Sequence, residues 1–428
     1  MRPLPLTRTL SAGLTCLCLI VCLPLIMTIT SCHKSVQSPD TSKTLDLPAG
    51  SPAVITAGNQ FALNFFGSLL QQDTTSNNKL ISPFSIYMAL SMVYNGSAGT
   101  TRDSIAKTLA LAGISTAELN AVNEALIKQL PSEDSKVSMS VANSLWYQQN
   151  GPQPVPGFLD TITGDYSGYI QSLNFSSPAS LTTINSWVAT KTDNKITELL
   201  SSLSPSNLMV LVNAIYFDGT WQYAFNPADT RNNTFYLSNG TTSSIPFMNQ
   251  QVTLRWHQDP AYTLLELPYG AGNSFDMYVV MPVNQQVSLG SFAASFSSTA
   301  WAAGLSQLDS QPMSLFIPKW QASYQIEALP ELAALGMGIA SSPDANFSAM
   351  FSTPEEISQV IHETYIDVTE TGTQAAAATA VVTIALDRGG SQPAIPVVTI
   401  DHPYLYFIVE KQTGAILFVG TMNNPAQN

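Results

Sequence analysis

Cysteine is missing from most of this 428-residue chain, because all four cysteines lie between residues 16 and 32. The chain that follows Cys32 can therefore form neither a disulfide bridge nor a thiolate metal site. A chain of this length can bury a large core, and the packing of that core has to hold the fold together.

Charge is also scarce. Only 11% of the residues are Asp, Glu, Lys or Arg, whereas an average soluble domain has about 25%. The formal net charge is −13, and the chain contains no cluster of Lys and Arg. Binding to nucleic acid depends on such clusters, so the composition argues against a nucleic-acid partner.

The motifs of the common enzyme classes are missing as well. The four histidines, at positions 33, 257, 362 and 402, include no His-x-x-x-His pair that could hold zinc. No Gly-x-Ser-x-Gly nucleophile elbow, P-loop or Gly-x-Gly-x-x-Gly loop occurs. We therefore expect neither an enzyme nor a bound metal or cofactor.

The N-terminus has the layout of a secretory signal peptide. Arg2 and Arg8 precede an apolar run over residues 10–29. The run ends in Ile-Thr-Ser-Cys at residues 29–32, which resembles a bacterial lipobox. This pattern predicts a lipoprotein signal peptide over residues 1–31. An ordinary signal peptide and an uncleaved anchor are the alternatives.

The predicted mature chain begins with lipid attached to Cys32. Residues 32–56 are rich in Ser, Thr, Pro and Lys and carry few large apolar groups, which predicts a flexible tether. We expect the protein to be exported and anchored through this lipid to the outer membrane or cell surface of a Gram-negative bacterium.

The body of the chain, residues 57–428, shows helical patterns first and strand patterns later. Residues 58–72 carry a broad apolar helical face, and the helix that opens at Ser82-Pro83 is apolar enough to be buried. Residues 207–217 are nearly all apolar, as in a strand buried on both faces. Short strands dominate after residue 230, which predicts an α+β fold.

One segment stands apart from these patterns. Residues 370–382 read ETGTQAAAATAVV, in which alanine favours helix and the last four residues favour strand. No charge follows Glu370 until Asp387. Such a segment either has no specific structural role or has to fit two different structural environments.

Six blocks of the sequence carry a family resemblance. They are NKLISPFSI at 78–86, VNAIYFDGTW at 212–221, FIPKW at 316–320, DANFS at 344–348, DHPY at 401–404 and LFVG at 417–420. Together they resemble the serpin family, the serine protease inhibitors that change shape, and the matches occur in the family's order from about residue 57 to 426. The resemblance implies a serpin fold of one domain over residues 57–428, with three β-sheets, eight or nine helices and an exposed reactive-centre loop over about 371–396.

The resemblance also implies a role for the alanine-rich segment. In serpins the exposed loop is cleaved and then inserts as a new central strand of the largest sheet. Small uncharged residues suit both states, because a large or charged side chain would be hard to bury under a close-packed sheet. Thr371 and Gln374 stand where the family is often acidic, and we expect little harm from either. The implied hinge residues are Glu370, Gly372, Thr373, Ala375, Ala376, Ala377, Ala378 and Thr379.

Loop length in the family implies the position of the cleaved bond. Counting sixteen residues from Glu370 predicts cleavage between Leu386 and Asp387, which would suit a chymotrypsin-like or elastase-like protease. The second candidate is the bond between Arg388 and Gly389, which would suit a trypsin-like protease. Asp387 departs from the small residue that the family often has after the bond.

Further residues match polar positions of the family around the sheet. Ser82, Ser85, Asn213 and His362 fall on a cluster beneath the sheet, although each is also compatible with a helix cap or a satisfied core group. Trp221 falls where the loop first enters the sheet. Lys319 and Glu370 match an ion pair at the base of the loop.

Together these features predict a suicide inhibitor of serine proteases, with cysteine proteases as a second target class. The expected partner is a protease held in a covalent acyl complex, and we expect a monomer. The alternative is a non-inhibitory serpin-fold lipoprotein that serves in binding or adhesion. The small residues of the hinge argue against that alternative.

Overall fold

The computed structural model describes residues 42–352, 356–373 and 395–427. Nine α-helices lie within these ranges, and several begin where proline fits the first turn. They are α1 (Ser51–Gln72), α2 (Pro83–Gly96), α3 (Gly99–Thr108), α4 (Thr116–Gln129), α5 (Pro156–Asp165), α6 (Pro178–Lys191), α7 (Leu289–Ser295), α8 (Ser298–Ser306) and α9 (Leu329–Leu332).

Fifteen strands lie within the same ranges, and most of them follow residue 200. They are β1 (Lys79–Ile81), β2 (Val137–Gln148), β3 (Tyr169–Leu173), β4 (Met209–Thr220), β5 (Arg231–Tyr236), β6 (Thr242–Gln258), β7 (Tyr262–Tyr269), β8 (Phe275–Pro282), β9 (Asp309–Pro318), β10 (Trp320–Glu327), β11 (Gln359–Thr369), β12 (Gly372–Thr373), β13 (Val397–Thr399), β14 (Tyr404–Glu410) and β15 (Ile416–Met422).

The strands form two hydrogen-bonded sheets. A six-stranded sheet has the order β10-β11-β12-β4-β2-β3, and a nine-stranded sheet has the order β1-β15-β14-β8-β7-β6-β9-β13, with β5 beside β6. Strand β6 pairs with β9 from Phe247 to Trp256 but with β7 only from Trp256 to Gln258. The nine-stranded sheet is therefore two regions joined at one corner, and the prediction of an α+β fold with three sheet regions is confirmed.

The main core lies between the sheets and the helices that cover them. Helix α2 runs through this core, and every one of its residues except Asn95 is buried, as its apolar composition predicts. A second, smaller apolar cluster covers the opposite face of the six-stranded sheet beneath α6. Its members include Trp146, Ile184, Val188, Val210 and Val212. Where α6 covers it, this sheet is thus buried on both faces.

The boundary of the predicted tether is corrected by the first helix. Helix α1 begins at Ser51, because Pro52 fits the first turn and Val54 and Ile55 are buried in the core. Residues 42–50 also bind the body: the backbone N–H of Lys43 donates to the carbonyl of Glu133, and that of Asp46 donates to the side chain of Gln129. The tether predicted over residues 32–56 is therefore too long at its C-terminal end.

The rest of the N-terminal prediction lies outside the described residues. This applies to the signal peptide over 1–31, to the lipid on Cys32 and to residues 32–41 of the tether. Within the described ranges, no helix combines the length and the apolar character needed to cross a membrane.

Candidate functional site

The six-stranded sheet is open at one end. Strands β11 and β4 pair directly and in parallel along Gln359–Thr364 and Val210–Ile215. Beyond Thr364 they separate, and β12 lies between them, antiparallel to both. Gly372 and Thr373 therefore already lie between the two central strands, at the end where these strands separate.

Gly372 can lie there only because it has no side chain. Its φ of 152° is one that residues with a Cβ rarely adopt, and a Cβ built on it would lie 2.1 Å from the carbonyl oxygen of Gly219. The chain turns back at Thr369–Gly372 and enters the sheet in this turn. The predicted hinge glycine is thus required by the close approach of two backbones.

Thr373 is fully buried and reaches an aromatic pair. Its hydroxyl lies 2.5 Å from that of Tyr269, whose ring stacks on Trp221 with centroids 4.2 Å apart. The indole N–H of Trp221 donates to the carbonyl of Thr369 at 2.8 Å, and its backbone N–H donates to that of Thr371 at 2.9 Å. Trp221 therefore binds the turn through the carbonyls of both Thr369 and Thr371, and Tyr269 binds the side chain of Thr373.

Glu370 anchors the base of the same turn. Its carboxylate accepts from the Lys319 ammonium at 2.8 Å and from the Thr230 hydroxyl at 2.8 Å. Burial acts to raise the pKa of Glu370, but these hydrogen bonds hold it below its usual value. The structure thus brings the predicted pair together and adds Thr230, which the sequence alone did not single out.

The four predicted polar residues beneath the sheet form one hydrogen-bonded cluster. The backbone N–H of Ser82 donates to Nε2 of His362 at 2.9 Å, and Nδ1 of His362 lies 2.6 Å from Oδ1 of Asn213. The amide of Asn213 in turn donates to the hydroxyl of Ser85. Since Nε2 accepts a hydrogen bond, the proton of the neutral ring is on Nδ1.

His362 is neutral because it is completely buried. Burial lowers its pKa to about 3, well below the ordinary value of 6.5. His362 and Asn213 are also direct partners in the ladder between β11 and β4. The cluster therefore joins α2 to the two central strands at the closed end of the sheet.

Asn143, which belongs to this cluster, and Thr364, two residues beyond His362 on β11, were missed by the sequence analysis. Asn143 lies opposite Asn213 on β2 and accepts a hydrogen bond from its amide at 2.5 Å. Thr364 donates its hydroxyl to the carbonyl of Leu80 at 2.8 Å. For Asn143 the available signal was an amide within the buried half of a strand, because a buried amide needs a partner.

The remaining predicted residues of the loop lie outside the described ranges. They are Ala375, Ala376, Ala377, Ala378, Thr379, Leu386, Asp387, Arg388 and Gly389. Within the described ranges, no group of three or more His, Cys, Asp or Glu side chains is arranged to hold a metal ion.

Comparison with known proteins identifies the family. Residues 56–425 match the family model described as Serpin (serine protease inhibitor). A serpin-like protein of Methanosarcina mazei is 31% identical over 379 residues, which cover 87% of each chain. Serpin-Z2A of Triticum aestivum is 32% identical over 375 residues, which cover 83% of this chain and 92% of that protein. The chain belongs to the serpin family, whose members are generally protease inhibitors rather than catalysts.

Solved structures agree with this assignment. The native state of tengpin, a thermophilic serpin, superimposes with a TM-score of 0.80 at 26% identity and covers 90% of this chain and 97% of that one. Human thyroxine-binding globulin in complex with thyroxine gives a TM-score of 0.81 at 27% identity, covering 89% of this chain and 100% of that one. The fold is thus shared by a thermophilic serpin and by a protein whose structure is a complex with thyroxine.

Proposed function

We propose that this serpin is a suicide inhibitor of serine proteases that traps its target by inserting its cleaved loop into the six-stranded sheet. The observation that carries the proposal is β12. Gly372 and Thr373, near the start of the loop, already pair with both central strands, in the orientation that a full inserted strand would need.

The register of β12 predicts where the rest of the loop would go. If both ladders continued without a shift, residues 377–382 would pair with Thr364–Gln359 of β11 and with Ile215–Val210 of β4. These are the residues that now pair with each other. Insertion would therefore replace one parallel ladder by two antiparallel ladders, which adds backbone hydrogen bonds.

The same register explains the small residues of the hinge. Thr373 faces the main core, so Ala375, Ala377 and Thr379 would face it too, because side chains alternate along a strand. Position 375 would lie between Ile366 and Phe217, both of which are 1% exposed. Only a small side chain would fit between such neighbours without displacing close-packed layers.

The inhibitor would supply no catalytic group. The serine of the protease attacks the loop carbonyl and forms an acyl-enzyme, and a cysteine protease could be trapped in the same way. Insertion then carries the bound protease across the sheet before water hydrolyses the ester, and distortion of the oxyanion site slows the hydrolysis. The native fold must therefore persist kinetically until cleavage.

The proposed bond lies between Leu386 and Asp387, so the expected targets are chymotrypsin-like or elastase-like proteases. Arg388–Gly389 is the second candidate and would direct the protein to trypsin-like proteases. We further propose that the protein acts as a monomer, anchored by lipid on Cys32 at the outer membrane or cell surface of a Gram-negative bacterium. There it would protect the cell envelope from foreign proteases.

The test mixes the purified full-length protein with a chymotrypsin-like protease, an elastase and trypsin. We expect a complex that survives denaturing gel electrophoresis, together with a released C-terminal peptide that begins at Asp387. A peptide that begins at Gly389 would keep the mechanism and move the specificity to Arg388. Cleavage by all three proteases without any stable complex would overturn the proposal.

A binding or adhesion lipoprotein is the second candidate function. It is favoured by one observation, the likeness to thyroxine-binding globulin, whose structure is a complex with thyroxine. Cleavage without complex formation would bring this candidate forward.

A further inference from the structure

A small pocket lies between helices α1, α2 and α4 and the start of β15. Its space of about 320 Å³, part of which is open to solvent, limits any ligand to a small molecule. Most of the wall is apolar, and this part consists of Val54, Ile55, Phe84, Met88, Leu126 and Ile416.

Two polar side chains of this wall carry atoms without a hydrogen-bond partner. They are the hydroxyl of Tyr87 on α2 and Oδ1 of Asn123 on α4, and neither atom is bonded within the described residues. Tyr87 is 3% exposed and Asn123 is 0% exposed. Nearly all buried polar groups are hydrogen-bonded, so two unpartnered ones on the wall of one pocket indicate a ligand that supplies the missing partners.

The neighbouring hydrogen bonds fix which end of the Asn123 amide faces the pocket. The hydroxyl of Tyr166 donates its single hydrogen to Oδ1 of Asn120 at 2.7 Å. Tyr166 can therefore only accept from Asn123, whose Nδ2 lies 3.4 Å from it. Because the amide nitrogen is turned toward Tyr166, the amide oxygen is the end of Asn123 that is left to face the pocket.

The two unpartnered atoms specify the chemistry of the ligand. Oδ1 of Asn123 can only accept a hydrogen bond, whereas the hydroxyl of Tyr87 can also donate one. Burial raises the pKa of Tyr87, which keeps this hydroxyl neutral. Among the described residues that line the pocket, none is charged, so a charged ligand would lose its hydration without gaining a partner. A neutral hydroxyl group fits both atoms, since it donates to Asn123 and accepts from Tyr87.

We propose that this pocket binds a short-chain primary alcohol, with the hydroxyl of the alcohol between Tyr87 and Asn123 and its carbon chain against the apolar wall. Removal of the chain from water favours binding, and the two polar atoms give the pocket its selectivity for a hydroxyl. The site does not involve the loop, so this inference stands or falls independently of the proposed inhibition.

Gly58 on α1 offers a way to close the pocket. It lines the pocket and is half-buried, and a Cβ built on it meets no atom within 4 Å. An alanine therefore fits there without a clash, whereas the longer side chain of leucine can extend into the space of the ligand. The neighbouring Asn59 is already satisfied, because its Nδ2 donates to the carbonyl of Gly414 at 2.8 Å and its Oδ1 accepts from the backbone N–H of Ile416 at 2.9 Å.

The test titrates the purified full-length protein with trifluoropropanol and, separately, with trifluorobutane, in which a methyl group replaces the hydroxyl. Fluorine NMR follows the binding of both probes. We expect saturable binding of the alcohol at one site per chain, with a dissociation constant on the order of 1 mM. Failure of the parent protein to bind the alcohol in a saturable manner would overturn the inference.

Tyr87→Phe separates recognition of the hydroxyl from a structural role. The variant keeps the ring, which contacts Phe61 with centroids 5.8 Å apart. The affinity for trifluoropropanol relative to trifluorobutane should fall about fivefold, the effect of losing one hydrogen bond. The resistance to guanidinium unfolding without ligand should not fall, because the hydroxyl has no partner to lose. A lower unfolding midpoint with an unchanged affinity ratio would assign the hydroxyl a structural role and refute the site.

Two variants at Gly58 locate the bound probe. Gly58→Leu should abolish binding of the alcohol, whereas Gly58→Ala, the matched control, should bind it as the parent does. Both replacements favour the helix more than glycine does, so neither should unfold α1. Parent-like binding by the leucine variant would place the probe elsewhere on the protein and would also overturn the inference.

Discussion

The hydroxyl of Thr373 lies 2.5 Å from the hydroxyl of Tyr269 in a contact closed to solvent. Thr373 belongs to the loop, whereas Tyr269 ends a strand of the other sheet. The contact therefore holds Thr373 against a strand of the nine-stranded sheet. Substitutions at these two residues are accordingly the most direct test of the proposed insertion.

Replacing Thr373 by Arg should abolish trapping. A buried guanidinium between β11 and β4 would have no partner, and burying an unpaired charge is strongly unfavourable. We expect the variant to be cleaved as a substrate without forming a gel-stable complex. Thr373→Ser keeps the hydroxyl and should still inhibit. Equal complex yields from the arginine variant and the parent would rule out insertion at this position.

Removing the Tyr269 hydroxyl should remove its hydrogen bond to Thr373 without leaving a cavity, because the ring stays in place. Tyr269→Phe keeps the stacking on Trp221 but leaves the Thr373 hydroxyl without this partner. We expect the free energy of unfolding of the native protein to fall by about 1 kcal/mol, the usual contribution of such a hydrogen bond. Guanidinium titration followed by tryptophan fluorescence measures this. An unchanged unfolding midpoint would show that the contact contributes nothing.

The buried histidine predicts a loss of stability in acid. The folded pKa of His362 is about 3, whereas the ordinary value is 6.5, so between these pH values the unfolded chain binds a proton that the native protein does not. The free energy of unfolding should therefore fall as the pH drops through this window, by on the order of a few kcal/mol. In His362→Gln this part of the pH slope should vanish. Urea titrations between pH 7 and 4 compare the two slopes.

A buried pair of carboxyl groups predicts the opposite dependence at higher pH. Burial and the nearby Glu410 raise the pKa of Glu133 to about 8. The native protein then keeps a proton that the unfolded chain loses above about pH 4.5, so the free energy of unfolding should fall as the pH rises from there to 8. Glu133→Gln should flatten this decline. A decline of the same steepness in the variant would assign it to other groups.

The same pair is connected to the N-terminal segment. The side-chain amide of Gln412 donates to Glu133 at 2.8 Å and to the backbone carbonyl of Lys43 at 2.7 Å. The loss of stability as the pH rises to 8 should therefore be accompanied by faster proteolysis near Lys43, which mass spectrometry of a limited digest would detect.

The lipid anchor is tested at Cys32. In a Gram-negative bacterial host, we expect the parent protein to incorporate labelled palmitate and to enter the detergent phase. Cys32→Ala should do neither. Normal labelling of the variant would show that the lipid, if present, is attached elsewhere.

Part of the site could be predicted from sequence because it depends on residue type. The blocks around Ser82, Asn213 and His362 indicated a polar cluster, and the structure brings these side chains into contact. Asn143 and Tyr269 were missed because nothing in their local sequence shows which strand lies beside them. The start of the first helix was also missed, since Val54 and Ile55 reveal their burial only against the rest of the core.

Residue composition alone limits the classes of protein to which this chain can belong and the side chains that its loop can carry. A body without cysteine has no disulfides, sparse basic residues argue against nucleic acid, and a run of small residues can be either exposed or buried. That Gly372 passes against Gly219, and that β12 lies between β11 and β4, follows from the tertiary structure alone. The reason is physical: pairing between strands far apart in sequence is set by the packing of the whole core, whereas residue composition acts locally.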